Sequence, residues 1–362
     1  MEKLFKGKKI MFVIVLALVL LMSACSGGTQ NASKGENQGA ANGGDNGKSH
    51  NLIISHFLPG NHPIQTQIFE GLGKTLNEKT DGRITYELYP ANALGDAGSH
   101  YDMAVTGEAN IALSVYGYTP GRFPLVSVLE LPFLAESAEH GSKIIGTLYN
   151  EFPEIQKLHD ETHPLFLFTA EPAQLISTKH KIETPADLKG LRVRTPSPVG
   201  STILEALGAT AVSMPMGDVY EALQRGVVDA AMVPLETLQN YNFHEITKYV
   251  TIGNFSATPF YSVMNKATYN SFSDSDQQLL DGLVGLPMSA EAGGLFDVDG
   301  KKGLELAKNG GAEIIELTGN QLKHWQDALE PVAQKWIDEM NGKGYPGQEI
   351  YERALELKNE LR

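Results

Sequence analysis

Hydrophobic residues change their spacing from segment to segment along this chain, and each spacing predicts a different element. Lys3, Lys6, Lys8 and Lys9 stand ahead of an unbroken apolar run, Ile10 to Met22, followed by Ser23-Ala24-Cys25. The run is shorter than the roughly 20 residues that cross a bilayer, and small residues close it, so 1–24 reads as a cleaved signal peptide. From Ser26 to about His50 almost nothing is apolar and Gly, Asn and Ser abound, which predicts a flexible tether with a reach of roughly 25 to 30 Å. Asn51 to His56 is then a buried strand, ended by Pro59-Gly60. Ile64, Ile68, Phe69, Leu72 and Leu76 recur at helical spacing with Pro63 at the first turn, and Asp81-Gly82 turns the chain. Ile84, Tyr86 and Leu88 alternate with polar neighbours into a second strand closed by Pro90.

Further apolar strands at 111–115, 164–168, 191–194 and 230–233 are separated by helical stretches. Strands and helices in alternation predict an α/β architecture with doubly wound sheets. Leu322, Trp325, Leu329, Val332, Trp336, Ile337 and Met340 form one helical stripe crossed by Pro331. Such a stripe is core packing, so both tryptophans read as structural, with a kink expected near the proline. No internal repeat is found.

Composition sharpens this picture. A chain of 362 residues, 42% hydrophobic, has apolar content for two cores. The formal charge is -14, and removal of 1–24 takes away four lysines and one glutamate, carrying it to about -17. That excess of acid argues against a nucleic-acid partner, whose binding rests on clustered cations. It also repels an anionic ligand at long range, so such a ligand needs a cation inside its site. The single cysteine, Cys25, cannot form an intrachain disulfide; beside small residues at the end of a signal sequence it looks like the lipidation site of a bacterial lipoprotein.

Catalytic patterns fail one by one. His159 and His163 flank Glu161, but a zincin needs Glu directly after the first His on a continuous helix, and Pro164 follows instead. Asp297-Val298-Asp299-Gly300 resembles the start of a calcium loop, yet Lys302 stands where the turn glycine belongs and Lys308 where the bidentate Glu should be; it reads as a solvated loop. Gly71-Leu72-Gly73 lies inside a helix, and there is no Gly-x-Ser-x-Gly elbow. The expectation is a protein with no catalytic residue, no metal and no cofactor.

The informative stretch is 184–251. Thr184 caps a helical turn that Gly190 ends, and the strand Leu191 to Arg194 stops before Pro196, which sets Arg194 at its carboxyl end. In open α/β sheets that end faces the ligand crevice, and a planar guanidinium there binds a carboxylate through two parallel hydrogen bonds. Arg192 shares the face but lies deeper along the strand, where an ion pair is the better reading. By the same strand-end rule His56 and Phe57 follow the first strand, and Tyr116, Gly117 and Tyr118 follow 111–115; Glu171 and Gln174 lie near a crossover.

The runs LKGLRVRTP, ALGATAVSM and DVYEALQRGVVDA within this stretch strongly resemble the DctP-type solute-binding subunits of tripartite ATP-independent periplasmic (TRAP) transporters. The likeness extends with less stringency through His62-Pro63, Gly82-Arg83, Leu94-Gly95, the run Pro120 to Pro124, and Leu131-Pro132-Phe133. It implies a two-lobed, periplasmic-binding-protein-like fold of type II, TRAP subtype, with the ligand in the cleft: lobe I from 51–171 plus 259–298, lobe II from 172–258 plus 299–362, after a lipidated Cys25 and tether over 25–50. Arg194 matches the family's carboxylate-binding arginine. Where relatives carry an Asn, an additional Arg and an aromatic residue, this chain has Val233, Gln174 and Met216. One ionic anchor beside an apolar wall implies a monocarboxylate with a mainly apolar or aromatic body. The function expected is that of an extracytoplasmic receptor, lipid-anchored to the cell membrane and monomeric, handing a small organic acid to a TRAP permease. The receptor of an ATP-driven importer and a surface-anchored hydrolase are the alternatives.

Overall fold

In the computed structural model, which describes residues 47–362, the short apolar runs pair into two sheets. The expected signal peptide, Cys25 and most of the tether lie outside the described residues. In chain order the strands are β1 (His50–His56), β2 (Ile84–Tyr89), β3 (Ile111–Val115), β4 (Thr162–Thr169), β5 (Gln174–Ser177), β6 (Arg192–Thr195), β7 (Thr210–Ser213), β8 (Ala230–Val233), β9 (Tyr249–Ile252), β10 (Pro259–Asn265) and β11 (Glu313–Glu316). The first sheet has the order β2-β1-β3-β10-β4 and the second β11-β9-β5-β8-β6-β7, each with helices packed on it, giving the two-lobed α/β fold.

Topology explains the strand directions. β1 is parallel to β2 and β3, and β6 to β7 and β8, as helix-connected strands must be. The exceptions are β10, antiparallel to β3 and β4, and β5, antiparallel to β8 and β9. These two carry the chain between sheets: it leaves β4 for β5 and returns from β9 to β10. The crossings lie side by side, with Ala170 N–H donating to Thr258 O (3.0 Å), Ala173 N–H to Ser256 O (2.7 Å) and Phe255 N–H to Ala173 O (3.0 Å).

A third link is the helix Leu286–Asn309, which packs on the helix Ala138–Glu151 and β4 of one lobe and on the helix Thr237–Asn240 of the other. This corrects the expected loop at Asp297 to Gly300, which lies inside that helix. Asp297 caps the Ala138–Glu151 helix by accepting from Ala138 N–H (2.7 Å) and Glu139 N–H (2.9 Å), and Asp299 is buried against Asn240. The glycines that suggest a loop have a tertiary purpose: a Cβ on Gly303 would collide with the carbonyl of Leu235, so packing outweighs the poor helix propensity of glycine.

Buried apolar side chains form two cores, each continuing from one lobe into the other. Along β10, Phe260 and Met264 belong to one core while Tyr261 and Val263 belong to the second, as alternation requires. Trp325 and Trp336 are buried in the second core on the helix Gly319–Gly342, which runs through Pro331.

Candidate ligand-binding site

Pairing of β6 with β7 and β8 sets Arg194 opposite Val212 and Ala231, and its side chain is 1% exposed. Nε and Nη2 donate to Met214 O (3.0 and 2.9 Å), Nη1 to Met232 O (3.3 Å) and Nη2 also to Tyr118 Oη (3.3 Å). All three acceptors are neutral, and among the described residues Arg194 forms no ion pair within 4.0 Å. Burial pulls its pKa down, but a guanidinium starts so high that it remains a cation. Arg192 is different: its guanidinium meets Asp229 at 2.9 and 3.1 Å and Gly226 O at 2.7 Å, and that bond holds the Asp229 carboxyl below its usual range.

Arg194 lines a pocket that draws on both lobes and on the crossings between them. Phe57, Leu58, Val115, Tyr118 and Phe260 face it from the first lobe, Pro196, Met216, Pro234, Glu236 and Tyr241 from the second, and Ala170 and Thr258 from the crossings. Its aromatic wall combines an edge contact with a stack: Phe57 meets Tyr118 at 5.6 Å, T-shaped, and stacks on Phe260 at 6.0 Å. The Tyr118 hydroxyl accepts from Arg194 and from Met216 N–H (3.0 Å), so a first-lobe side chain is fastened to second-lobe groups. The lobes touch again at Gly117, where a Cβ would lie 2.6 Å from Ser197 Cβ and 2.9 Å from Pro196 O; only glycine admits this approach.

The pocket thus brings together Phe57, Tyr118, Arg194 and Met216 of the residues singled out in the sequence. The others lie elsewhere. His56 is buried behind Phe57, its Nε2 3.1 Å from Gln65 Oε1 and its ring stacked on Phe69 at 5.5 Å. Tyr116 donates to His159 Nε2 (2.7 Å) inside the first lobe, in a cage with Phe123 and Tyr261. Val233 is a core residue opposite Gln174 in the β5–β8 ladder. Gln174 straps the crossings: its Oε1 accepts from Gly253 N–H (2.7 Å) and Asn254 N–H (2.9 Å), and its amide donates to Asn254 Oδ1 and Pro172 O. Glu171 stands one layer behind the pocket, accepting from Glu236 N–H at 2.6 Å. Burial, with the neighbouring Glu236 carboxyl adding to it, raises the Glu171 pKa well above the usual range.

Sequence reasoning missed Glu236, Tyr241, Thr258 and Phe260. Glu236 was within reach of the strand-end rule, since it follows Pro234-Leu235 directly after β8. Tyr241, at the end of a four-residue helix, carried no such signal.

A second pocket is lined by Tyr116, Phe123, Glu130, Pro198, Trp336 and Lys343 among others. Its lysine is exposed and paired with Glu339 at 2.6 Å, so it offers no buried cation. Glu130 is buried there with a hydrogen bond from the Ser197 hydroxyl across the lobes, and burial pushes its carboxyl up to about 7. Among the described residues no cluster of His, Cys, Asp and Glu could hold a metal, and no helix is long and apolar enough to cross a membrane.

The chain and its fold have known relatives. Residues 54–339 match the family described as bacterial extracellular solute-binding protein, family 7. The 2,3-diketo-L-gulonate-binding periplasmic protein of Escherichia coli is 27% identical over 267 residues, 70% of this chain and 77% of that protein. A marine-metagenome TRAP solute-binding protein specific for aromatic acid ligands, solved with 3-hydroxybenzoate, superposes with a TM-score of 0.83 at 31% identity, covering 87% of this chain and 99% of that one. A TRAP solute-binding protein of Rhodoferax ferrireducens, solved with copurified benzoate, superposes at 0.82 with 27% identity, covering 86% and 98%.

Proposed function

The chain belongs to the family 7 extracellular solute-binding proteins, the receptors of TRAP transporters, and from that premise we propose that its ligand is a small monocarboxylate with an aromatic or apolar body, delivered to a membrane permease. One observation carries the reading: Arg194 is a buried cation whose partners among the described residues are all neutral. An uncompensated buried charge is costly, and a ligand carboxylate seated against it restores neutrality through charge-assisted hydrogen bonds. One such cation matches one carboxylate. A second carboxylate on the ligand would meet the aromatic wall or the Glu236 carboxyl, both poor partners for an anion. The aromatic acids bound by two relatives of similar fold support the same ligand class.

In this reading the two lobes, divided near 171, 258 and 298, hinge on the crossing segments, and the contacts of Tyr118 and Gly117 form as the cleft closes. Cys25 lipidation holds a monomeric receptor at the outer face of the membrane. A thermal-shift screen tests the ligand class. Benzoate or phenylacetate at 100 times its dissociation constant should stabilise the fold by roughly 2.7 kcal/mol. Stabilisation by succinate, malate or sialic acid, with none by the aromatic monocarboxylates, overturns the proposal.

A further inference from the structure

Two polar groups in the pocket have no task in holding a carboxylate against Arg194. The Tyr241 hydroxyl is buried and has no hydrogen-bond partner among the described residues, although the residue lines the pocket. Glu236, 3% exposed, accepts from Asn240 Nδ2 through Oε2 at 2.8 Å and faces His62 Nε2 with the same atom at 3.6 Å. No described residue donates a hydrogen bond to its other oxygen, Oε1. The side chain is held in place, since the Glu236 backbone is fixed by Glu171 and the Asn240 amide determines which oxygen stays behind.

The two open valences differ in kind. A phenol offers a proton, and a carboxyl oxygen offers a lone pair. A buried hydroxyl such as that of Tyr241 costs about 1 to 3 kcal/mol where it goes unmet, so a ligand that meets both groups is favoured over one that meets neither. One hydroxyl group does so, because it donates once and accepts once. An ammonium cannot accept, an ionised carboxylate cannot donate, and a methyl group does neither. We infer that Glu236 and Tyr241 select a hydroxyl substituent on the ligand, which donates to Glu236 Oε1 and accepts from Tyr241 Oη. The inference rests on the monocarboxylate reading of the pocket. It adds that carboxylate and hydroxyl belong to one compact molecule, since Arg194, Glu236 and Tyr241 all line the same small pocket.

Matched acids that differ by one hydroxyl test this by calorimetry: phenylacetate against mandelate, and benzoate against 3-hydroxybenzoate. The hydroxylated member of at least one pair should bind the native protein roughly ten- to a hundred-fold more tightly. In Glu236→Gln the side-chain carbonyl stays on Asn240 and turns an amide N–H into the pocket, so that ratio should fall to about one. Tyr241→Phe, which removes only the hydroxyl, should lower it as well and carries the test alone if Glu236→Gln does not fold. Equal affinities within both pairs, or a ratio retained in both folded variants, overturn the hydroxyl reading and leave the carboxylate reading standing. If none of the four acids binds, the carboxylate reading fails and takes this one with it.

Discussion

At the start of β6 Arg192 is 46% exposed and clasped by Asp229, while two residues on Arg194 is 1% exposed and bonded only to neutral oxygens. Their chemistry is the same, they lie on one strand, and alternation points them to one face. What separates them is whether the protein completes the pairing. The outer end of the strand carries its own carboxylate, so its charge is satisfied with the cleft empty. The inner end is built from carbonyls and a phenol, and in the proposed reading its charge is completed by the ligand. In that reading burial alone does not mark the site; burial combined with a missing counter-charge does.

The strongest way to break this comparison is to remove the inner charge. Arg194→Ala should lower affinity for the carboxylate ligand roughly thirty- to several-thousand-fold by calorimetry, because the ligand anion loses its buried partner. Arg194→Lys should also fail, since an ammonium lacks the planar two-pronged geometry. Near-native binding in the alanine variant would show that the pocket is not organised around this residue.

A third ionisable group sharpens the comparison, because Glu130 meets the same shortage differently. Arg194 cannot shed its charge, but a carboxyl buried with only the Ser197 hydroxyl for company can keep its proton. Its pKa is raised from 4.5 to about 7 in the folded protein, so its contribution to stability is fully present below about 4.5 and is lost as pH rises through about 7. The loss should amount to roughly 3 kcal/mol at most. Denaturant titrations at pH 5 and pH 8 should show this dependence in the native protein and its absence in Glu130→Gln. An identical pH slope in both would place the titration elsewhere.

The smallest effect is expected at the outer arginine. Arg192→Ala should bind ligand within about twofold of the native protein and melt only slightly lower, since exposed ion pairs contribute little. A loss of affinity matching that of Arg194→Ala would erase the distinction between the two ends of the strand.

The place of Arg194 in the pocket was legible because two local signals coincide, a strand end fixed by Pro196 and a guanidinium suited to carboxylates. Phe57 and Tyr118 followed from the same strand-end geometry. Gln174 and Glu171 were located near a crossover but not given their tasks, because side-chain direction there depends on residues far along the chain. Gln174 turns toward Asn254, whose left-handed backbone (φ 52°) presents its amide, and Glu171 turns toward the backbone of Glu236. Tyr116 and Tyr118 are alike in the sequence, yet one faces the second lobe and the other a histidine within its own. The strands not read from the sequence are β5, β7, β9 and β11, four residues each, and β10, buried on both faces; β6 and β8 are as short and β3 as buried, so length and burial alone do not account for the difference.

β10 also dictates an order of events. It fills the gap between β3 and β4, yet it comes from beyond residue 258, after the strands β5 to β9 of the other sheet. While the ribosome is still working through that intervening stretch, β4 has no neighbour in its sheet and β3 shows an open edge. Neither lobe can therefore be finished and set aside before the other begins, because the first waits for 259–265 and the second for β11 at 313–316. A chain wired this way pays its loop-closure entropy late and in large pieces, which belongs to slow, non-local folding. The interleaving of the two sheets keeps the nascent chain unfinished through most of its synthesis.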